Sequence, residues 1–328
     1  MTVKYALIAH GGAGGRAPTG DRAARKSGLI AAVKRGEQIL RRGERALDAV
    51  IAVVTALEND VLFNAGYGST LTIDGRVEMD AAVAVAEPVY ANRASAGLEG
   101  QSRSRGGRSG RSVRICVGGV VLVNRVRNPI LLARAVMERT PHILMSGAGA
   151  ERLAREAGLR LCRPDQLVSR RARERWILLT QQHPPFPATG RGTVGAVALD
   201  AAGSLAAATS TGGVPGKLAG RIGDSAIIGA GLFADGTGAA SATGTGEEIM
   251  KVGLCREAVA GASRRHPNEA AARAVSRLAA IDGAEAGIVM VDSSGRLGFA
   301  HNADAMEIAM CDSGGGVQYA LPDSLKSR

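Results

Sequence analysis

Two similar hairpin patterns in the second half of the chain constrain its fold more than any other feature. Residues 193–209 form the first, two apolar runs joined by a short polar turn, and residues 288–300 form the second. Apolar residues recur at helical spacing between them, over 247–260 and 268–281. Strand patterns and helix patterns are therefore segregated along the chain. This arrangement predicts an α+β fold, with helix layers around antiparallel sheet.

The first half of the chain contributes further strands and helices. An apolar strand pattern at 3–9 leads into a loop at 10–15, whose glycines allow close backbone approach. The other predicted elements are helices at 22–42, 45–57, 129–139 and 150–157, and strands at 70–73, 77–79, 81–86 and 117–123. The 328 residues hold 45 Gly and only 3% aromatic residues, so the core must consist of closely packed small aliphatic side chains.

The net charge of +11 is concentrated in two stretches with little to bury. Residues 92–114 hold six Arg and one Glu, and residues 160–175 hold six Arg against Asp165 and Glu174, so together they supply 5 + 4 = 9 of the excess. We expect a mobile insertion at about 92–114 and a mobile linker at about 160–192. Neither stretch interleaves aromatic residues with arginine, which disfavours nucleic-acid recognition by base stacking.

The chain offers no sequence signal for export or for a membrane. The first residues form an apolar run too brief for a signal peptide or a membrane span, which predicts a cytoplasmic protein without a membrane partner. Four widely separated cysteines indicate neither a zinc site nor a disulfide framework, and no organic cofactor is expected.

Thr193 lies where the polar linker meets the first hairpin. An internal threonine hydroxyl is a poor nucleophile, but cleavage after Gly192 would free an α-amine with a reference pKa of roughly 7.7–8.0. That amine can act as the general base for the hydroxyl of the same residue. One residue would then supply nucleophile and base, held rigidly by the strand that follows. The alternative interpretation is an ordinary β-branched residue at a strand start.

Several motifs occur together in a fixed order and resemble a known family. They are Gly192-Thr193-Val194-Gly195-Ala196-Val197-Ala198-Leu199-Asp200, His10-Gly11-Gly12-Ala13-Gly14, Phe63-Asn64-Ala65-Gly66, Thr209-Ser210-Thr211-Gly212-Gly213, Gly220-Arg221-Ile222-Gly223-Asp224-Ser225 and Thr243-Gly244-Thr245-Gly246-Glu247. This set resembles the plant-type asparaginases, also isoaspartyl peptidases, which are threonine-type N-terminal-nucleophile hydrolases. The resemblance covers most of the chain outside the two basic stretches.

The resemblance implies a fold, an assembly and an activity. It implies a four-layer αββα sandwich, cut between Gly192 and Thr193 into an α subunit of residues 1–192 and a β subunit of residues 193–328. The two would form one folded domain and pair into a dimer of αβ heterodimers. The implied reaction is hydrolysis of L-asparagine or β-aspartyl dipeptides, which releases aspartate.

The motifs downstream of Thr193 suit a small amino-acid substrate. Arg221 and Asp224 lie in one glycine-bracketed loop, where a cation and an anion can face a single ligand; the alternative is a local surface ion pair. By resemblance, Arg221 would bind the substrate carboxylate and Asp224 its amine. Thr243 and Gly244 would form the oxyanion hole, and Gly244 and Gly246 would contact the substrate.

Two further assignments rest on the resemblance. Thr211 follows the return strand of the hairpin and would assist Thr193, while Asn64 would hold the Thr193 side chain or the scissile peptide. A structural sodium ion would be bound mainly by backbone carbonyls of one loop, from Leu57, Glu58, Asp60, Phe63, Ala65 and Tyr67. The alternative for that loop is a helix C-terminus followed by turns.

The sequence departs from the family at 92–114 and at 302–306, and other classes stay open. A glycosylasparaginase would share the self-cleaving threonine and the segment at 220–225. Residues 12–17 loosely match a dinucleotide fingerprint, although no acidic strand end follows. No Gly-x-Ser-x-Gly elbow is present, which disfavours a serine hydrolase. A non-enzyme alternative is an uncleaved protein that binds nucleic acid through its arginines.

Overall fold

The computed structural model describes residues 4–89, 112–181, 192–281 and 284–325, with the backbone of 104–105. The strands are β1 Ala6–Gly14, β2 Met79–Pro88, β3 Ser104–Arg105, β4 Ser112–Val123, β5 Leu144–Met145, β6 Val194–Leu199, β7 Leu205–Thr211, β8 Leu232–Ala234, β9 Gly238–Gly244, β10 Ala286–Asp292, β11 Leu297–His301, β12 Ala305–Asp312 and β13 Gln318–Ala320. The α-helices are α1 Thr19–Arg41, α2 Ala46–Glu58, α3 Pro129–Arg139, α4 Gly147–Glu156, α5 Arg170–Thr180, α6 Gly246–Val252, α7 Leu254–Ala262 and α8 Pro267–Ala279.

The described strands form two sheets. The larger has the order β13-β12-β1-β6-β7-β2-β4-β3, all antiparallel, with β5 added in parallel to β4. The smaller has the antiparallel order β11-β10-β9-β8. The predicted hairpins are present as β6–β7 and β10–β11, one in each sheet. The mixed α and β content agrees with the predicted α+β class.

Alternation along the strands gives each sheet two buried faces. In β6, Val194, Ala196 and Ala198 pack with helices α1, α2 and α3, while Val197 and Leu199 point the other way, toward the smaller sheet. The opposite face of the smaller sheet packs against α7 and α8 through alanines of β9 and through Ile288 and Met290 of β10. The two sheets thus share one core, and each carries helices on its outer face.

Asp200 fixes the hairpin that carries the candidate nucleophile. Its carboxylate accepts hydrogen bonds from the backbone N–H of Ser204 (2.9 Å) and of Ala46 (2.8 Å). The first bond closes the β6–β7 turn, and the second satisfies a free N–H at the start of α2. The hairpin and the helix behind it are therefore tied at one point.

The glycine loop predicted at 10–15 belongs to strand β1. Pairing with β12 continues through the glycines, with a register shift between His10 and Ala13 that marks a bulge. Gly12 has φ +108°, and a Cβ there would lie 2.7 Å from the Cα of Gly192. The glycines let the strand bend and pass directly against the chain before Thr193.

The linker expected from about 160 contains regular structure before residue 181. Leu167 and Ala172 are buried, Ser169 caps α5 by accepting from the N–H of Ala172 (3.2 Å), and Trp176 donates to the Ile73 carbonyl (3.1 Å). These apolar and capping contacts stabilise regular structure in this segment, although it contains many arginines. Residues 182–191 of the expected linker lie outside the described part, as do residues 92–103 and 106–111 of the expected insertion. Residues 112–114 begin strand β4.

Among the residues that the structure covers, no helix is both long and apolar enough to cross a membrane.

Candidate active site

A row of polar side chains lies at one end of the core between the sheets. Thr193 precedes β6, and Thr209 and Thr211 end β7 on the face that looks toward the smaller sheet. Ser241 and Thr243 of β9 approach from the opposite side. All five are buried, so the hydroxyls occupy a protected position where each needs a polar partner.

The hydroxyl of Thr193 contacts two other hydroxyls. Its Oγ1 donates to Thr211 Oγ1 at 3.2 Å and lies 3.3 Å from Ser225 Oγ. Thr211 Oγ1 also accepts the backbone N–H of Gly213 at 3.0 Å, which fixes the orientation of that threonine. The structure therefore places Thr211 beside Thr193, as the sequence predicts. Ser225, although part of a recognised motif, was assigned no role from sequence.

Asn64 lies beside Gly192, on the other side of the proposed cut. A Cβ added to Gly192 would lie 3.2 Å from the Asn64 Cβ. The Asn64 side chain donates to the Gly213 carbonyl (2.7 Å) and accepts from the Thr70 N–H (2.8 Å). These bonds hold the loop after β7 against Asn64, so Asn64 flanks the scissile peptide while its amide bonds to neighbouring loops.

Arg221 and Asp224 bracket Gly246. A Cβ at Gly246 would lie 2.7 Å from Asp224 Oδ1 and 3.0 Å from Arg221 Nη2, so only glycine leaves room there. The Arg221 guanidinium makes two 2.9 Å hydrogen bonds to the Glu247 carboxylate, a partner that the sequence reasoning did not foresee. Glu247 thus occupies the Nε and Nη2 edge of the guanidinium and fixes its orientation, while Nη1 makes no bond to this carboxylate.

Asp224 is a buried carboxyl with one unoccupied acceptor. Its Oδ2 has no hydrogen-bond partner among the described residues. Burial raises the pKa of Asp224 to about 7, although the nearby Arg221 charge acts to lower that pKa. A ligand ammonium would supply the missing partner and favour the ionised carboxylate.

Thr243 and Gly244 end β9, next to the glycine bulge of β1. Thr243 Oγ1 accepts the backbone N–H of Ala13 at 3.3 Å, which leaves its own hydroxyl hydrogen for a ligand. Gly244 has φ +148°, and a Cβ there would lie 2.2 Å from the Glu285 carbonyl oxygen. Glycine is required at this strand end, where the chain turns toward α6.

His10 is a buried neighbour of the site to which no role was given from sequence. Its Nε2 lies 2.8 Å from Ser241 Oγ, and a Cβ on Gly195 would lie 2.5 Å from the same nitrogen. Burial lowers the pKa of His10 to about 3. The imidazole is therefore neutral, and it packs against Gly195 of strand β6 with Ser241 as its hydrogen-bond partner.

The loop at 57–67 gathers backbone carbonyls. A Cβ at Gly68 would lie 2.0 Å from the Phe63 carbonyl oxygen and 2.9 Å from that of Asp60, and a Cβ at Gly66 would lie 2.4 Å from the Glu58 carbonyl oxygen. The carbonyls of Leu57, Asp60, Phe63 and Ala65 each accept a backbone N–H within the loop, and carbonyl oxygens are also ligands that suit hard cations. The Glu58 side chain instead turns inward, where it accepts from Ser210 Oγ (2.7 Å) and the Ile130 N–H (3.0 Å).

The fold and the site together define a class of protein: an α+β enzyme built around a cluster of buried hydroxyls, with a charged pair for a small ligand beside it. Comparison with known proteins then gives the particular family. The sequence profile described as asparaginase matches residues 3–90 and 110–321, and the chain belongs to this asparaginase family.

Named relatives are similar over most of their length. An isoaspartyl peptidase/L-asparaginase of Rattus norvegicus is 40% identical over 79% of this chain and 71% of its own. A protein of the same name from Xenopus laevis is 37% identical over 89% of this chain and 87% of its own length. A plant-type L-asparaginase of Pyrococcus furiosus is 37% identical over 94% of this chain and 97% of the relative.

Proposed function

We propose that the chain cuts itself between Gly192 and Thr193, and that the new N-terminal Thr193 hydrolyses L-asparagine and β-aspartyl dipeptides. The observation that carries this proposal is the position of Thr193. Its hydroxyl contacts those of Thr211 and Ser225, and the residue immediately follows the peptide bond to be cut. The names of the relatives support the choice of substrate.

The proposed reaction proceeds through an ester on Thr193. The free α-amine takes the proton of the hydroxyl, whose oxygen attacks the side-chain carbonyl carbon of the substrate. Thr243 and Gly244 stabilise the charge that develops on the carbonyl oxygen. As the C–N bond breaks, the ammonium returns a proton to the leaving amine. Water, which loses a proton to the α-amine, then attacks the ester carbonyl; the C–O bond to Thr193 breaks, aspartate is released, and the Thr193 oxygen regains its proton.

The substrate's amino-acid group would be bound by Arg221 and Asp224. Its carboxylate would meet the guanidinium that Glu247 holds in place, and its ammonium would meet the free oxygen of Asp224. Gly246 lies between these two side chains and leaves the necessary space. A ligand with one anionic and one cationic group matches this pair.

The packing of helices, sheet, sheet and helices supports a four-layer αββα sandwich of the N-terminal-nucleophile type. The carbonyls of the 57–67 loop support a structural sodium ion with ligands from Leu57, Glu58, Asp60, Phe63, Ala65 and Tyr67. The ion would hold the turn that carries Asn64, and the backbone of the loop would supply its oxygens. No organic cofactor enters the proposed reaction.

The cellular location and the assembly are part of the proposal. Cys116, Cys162, Cys255 and Cys311 are all free thiols, as expected of a protein in the reducing cytoplasm. We further propose that two cleaved molecules pair into a dimer of αβ heterodimers, by resemblance to the family.

Wild type and Thr193→Ala, compared on a denaturing gel and in an aspartate-release assay, test the proposal. We expect two fragments and activity from wild type, and one inactive chain from the variant. Parallel assays on asparagine, a β-aspartyl dipeptide and glycosylasparagine separate the proposed activity from that of a glycosylasparaginase. A fully active, uncut wild type would refute the self-cleavage mechanism.

A further inference from the structure

A cavity of about 220 Å³ opens next to Gly192. The glycine bulge of β1, the start of α1, the 61–64 turn and helix α5 form its walls. Neither Arg221, Asp224 nor Gly246 lines it. The cavity is therefore separate from the residues that bind the amino-acid group in the proposed function.

Five arginines line this cavity, against only two carboxylates. Glu307 binds Arg25, which also donates to the Leu62 and Gly11 carbonyls, and Asp21 binds Arg171. Both carboxylates are thus already paired. In the described part of the chain, no acidic side chain lies within ion-pair distance of the remaining cations, which are Arg16, Arg22 and Arg175.

Arg175 lines this space from helix α5, next to Arg171. Its side chain keeps contact with solvent, and partial desolvation and the positive charges of Arg171 and Arg25 lower its pKa. An arginine remains charged in spite of such a shift. The wall therefore presents excess positive charge, and an anionic group would relieve its repulsion.

The cavity borders the residues next to the proposed reacting groups at two points. Gly192, the residue before the nucleophile, forms part of its wall. Ala13 forms another part, and its N–H bonds to Thr243 Oγ1, the proposed oxyanion-hole group. A group attached to the reacting carbonyl, but not to the aspartyl head, would extend into this space. In a β-aspartyl dipeptide that group is the leaving amino acid.

We propose that this cavity binds the α-carboxylate of the leaving residue of β-aspartyl dipeptides, through Arg175 and Arg22. The inference rests on the proposed function and adds substrate preference to it. Asparagine leaves as ammonia, which carries no carboxylate and gains nothing from the cavity. The arginines therefore favour, through binding, dipeptides whose leaving residue has a free α-carboxylate.

Charge reversal on one helix, with a matched control, tests the inference. Arg175→Glu changes a cavity residue, whereas Arg173→Glu makes the same change two residues away on α5, outside the cavity lining. The cleaved proteins are assayed on β-aspartyl-leucine, β-aspartyl-leucinamide and L-asparagine. Arg22→Met provides a second cavity variant on a different wall.

We expect Arg175→Glu to raise KM for β-aspartyl-leucine by about tenfold, as for loss of one charge-assisted contact. Activity on the amide and on asparagine should change less than about twofold, and Arg173→Glu should resemble wild type on all three. Arg22→Met should show the Arg175→Glu pattern at smaller amplitude.

Equal losses on dipeptide and asparagine would overturn the inference, because they would indicate a role in the shared chemistry or in holding the new Gly192 carboxylate. An unchanged KM for β-aspartyl-leucine in both cavity variants would also overturn it. A wild-type protein that hydrolyses none of the three substrates would instead refute the proposed function itself.

Discussion

Thr193 has a hydroxyl partner that can be removed without loss of volume. Thr211→Val keeps the shape of Thr211 and deletes the acceptor 3.2 Å from Thr193 Oγ1, so we expect kcat for asparagine to fall by about 10²-fold. Thr211→Ser keeps the hydroxyl and should retain most of the activity. Aspartate release at saturating substrate measures both; equal losses in Ser and Val would mean that Thr211 acts only through packing.

The carboxyl of Asp224 should make substrate capture pH-dependent. Because its pKa is raised to about 7, the free enzyme carries a protonated, neutral Asp224 below that pH, and a neutral carboxyl binds an ammonium poorly. Protonation of the Thr193 amine acts in the same direction. We expect log kcat/KM for asparagine to fall with a slope approaching about 2 below pH 7. In Asp224→Asn the slope should be about 1, at much lower activity; an unchanged slope would contradict this assignment.

Residue types and spacing were sufficient to predict part of the site. Arg221 and Asp224 lie together because they are three residues apart in one loop, and Thr211 contacts Thr193 because the hairpin brings its two ends together. The position of Gly246 beside them was predicted only from the family resemblance. His10 and Glu247 could not be assigned in this way. Their positions depend on contacts across the two sheets and across a loop, which no local pattern encodes.

Secondary elements were predicted where side chains show a clear period. Helix α3 agrees at both ends, since Pro129 begins it and its apolar residues repeat at helical spacing. Strand β9 was missed because Gly, Ala and Ser fill most of it, and these have low strand propensity. Tight contact with β10 and the other sheet requires such small residues, so tertiary packing overrides the local preference.

Two glycines of helix α1 differ in how closely their surroundings pack. Replacing each with alanine therefore distinguishes a packing effect from an effect on backbone flexibility. A Cβ on Gly36 would lie 2.7 Å from Val53 Cγ2 and 2.8 Å from Leu7 Cδ2, whereas Gly20 has nothing within 4 Å. Gly36→Ala should lower the free energy of unfolding by about 1–3 kcal/mol, and Gly20→Ala should raise it by up to about 1 kcal/mol. Urea unfolding of both in a Thr193→Ala background checks this; equal effects would contradict the close packing of α1.

The two fragments of the cleaved molecule would be interleaved. In the large sheet, β1 and β2 come from the first 192 residues, while β6 and β7 come from the second fragment and lie between them. Separating the fragments requires breaking three strand ladders, β12–β1, β1–β6 and β7–β2, and the core on both faces. We therefore expect both fragments to elute together in native size exclusion and to separate only in denaturant; free fragments under native conditions would contradict the proposed mature form.

The central claim is that Thr193, once freed, carries the acyl group during turnover. Acid-quenching the enzyme in the steady state, followed by mass spectrometry of the fragments, tests this claim directly. We predict an aspartyl ester on the N-terminal threonine of the 193–328 fragment, absent without substrate and absent in Thr193→Ala. An acyl group on another residue, or turnover by a chain still intact across Gly192 and Thr193, would contradict it.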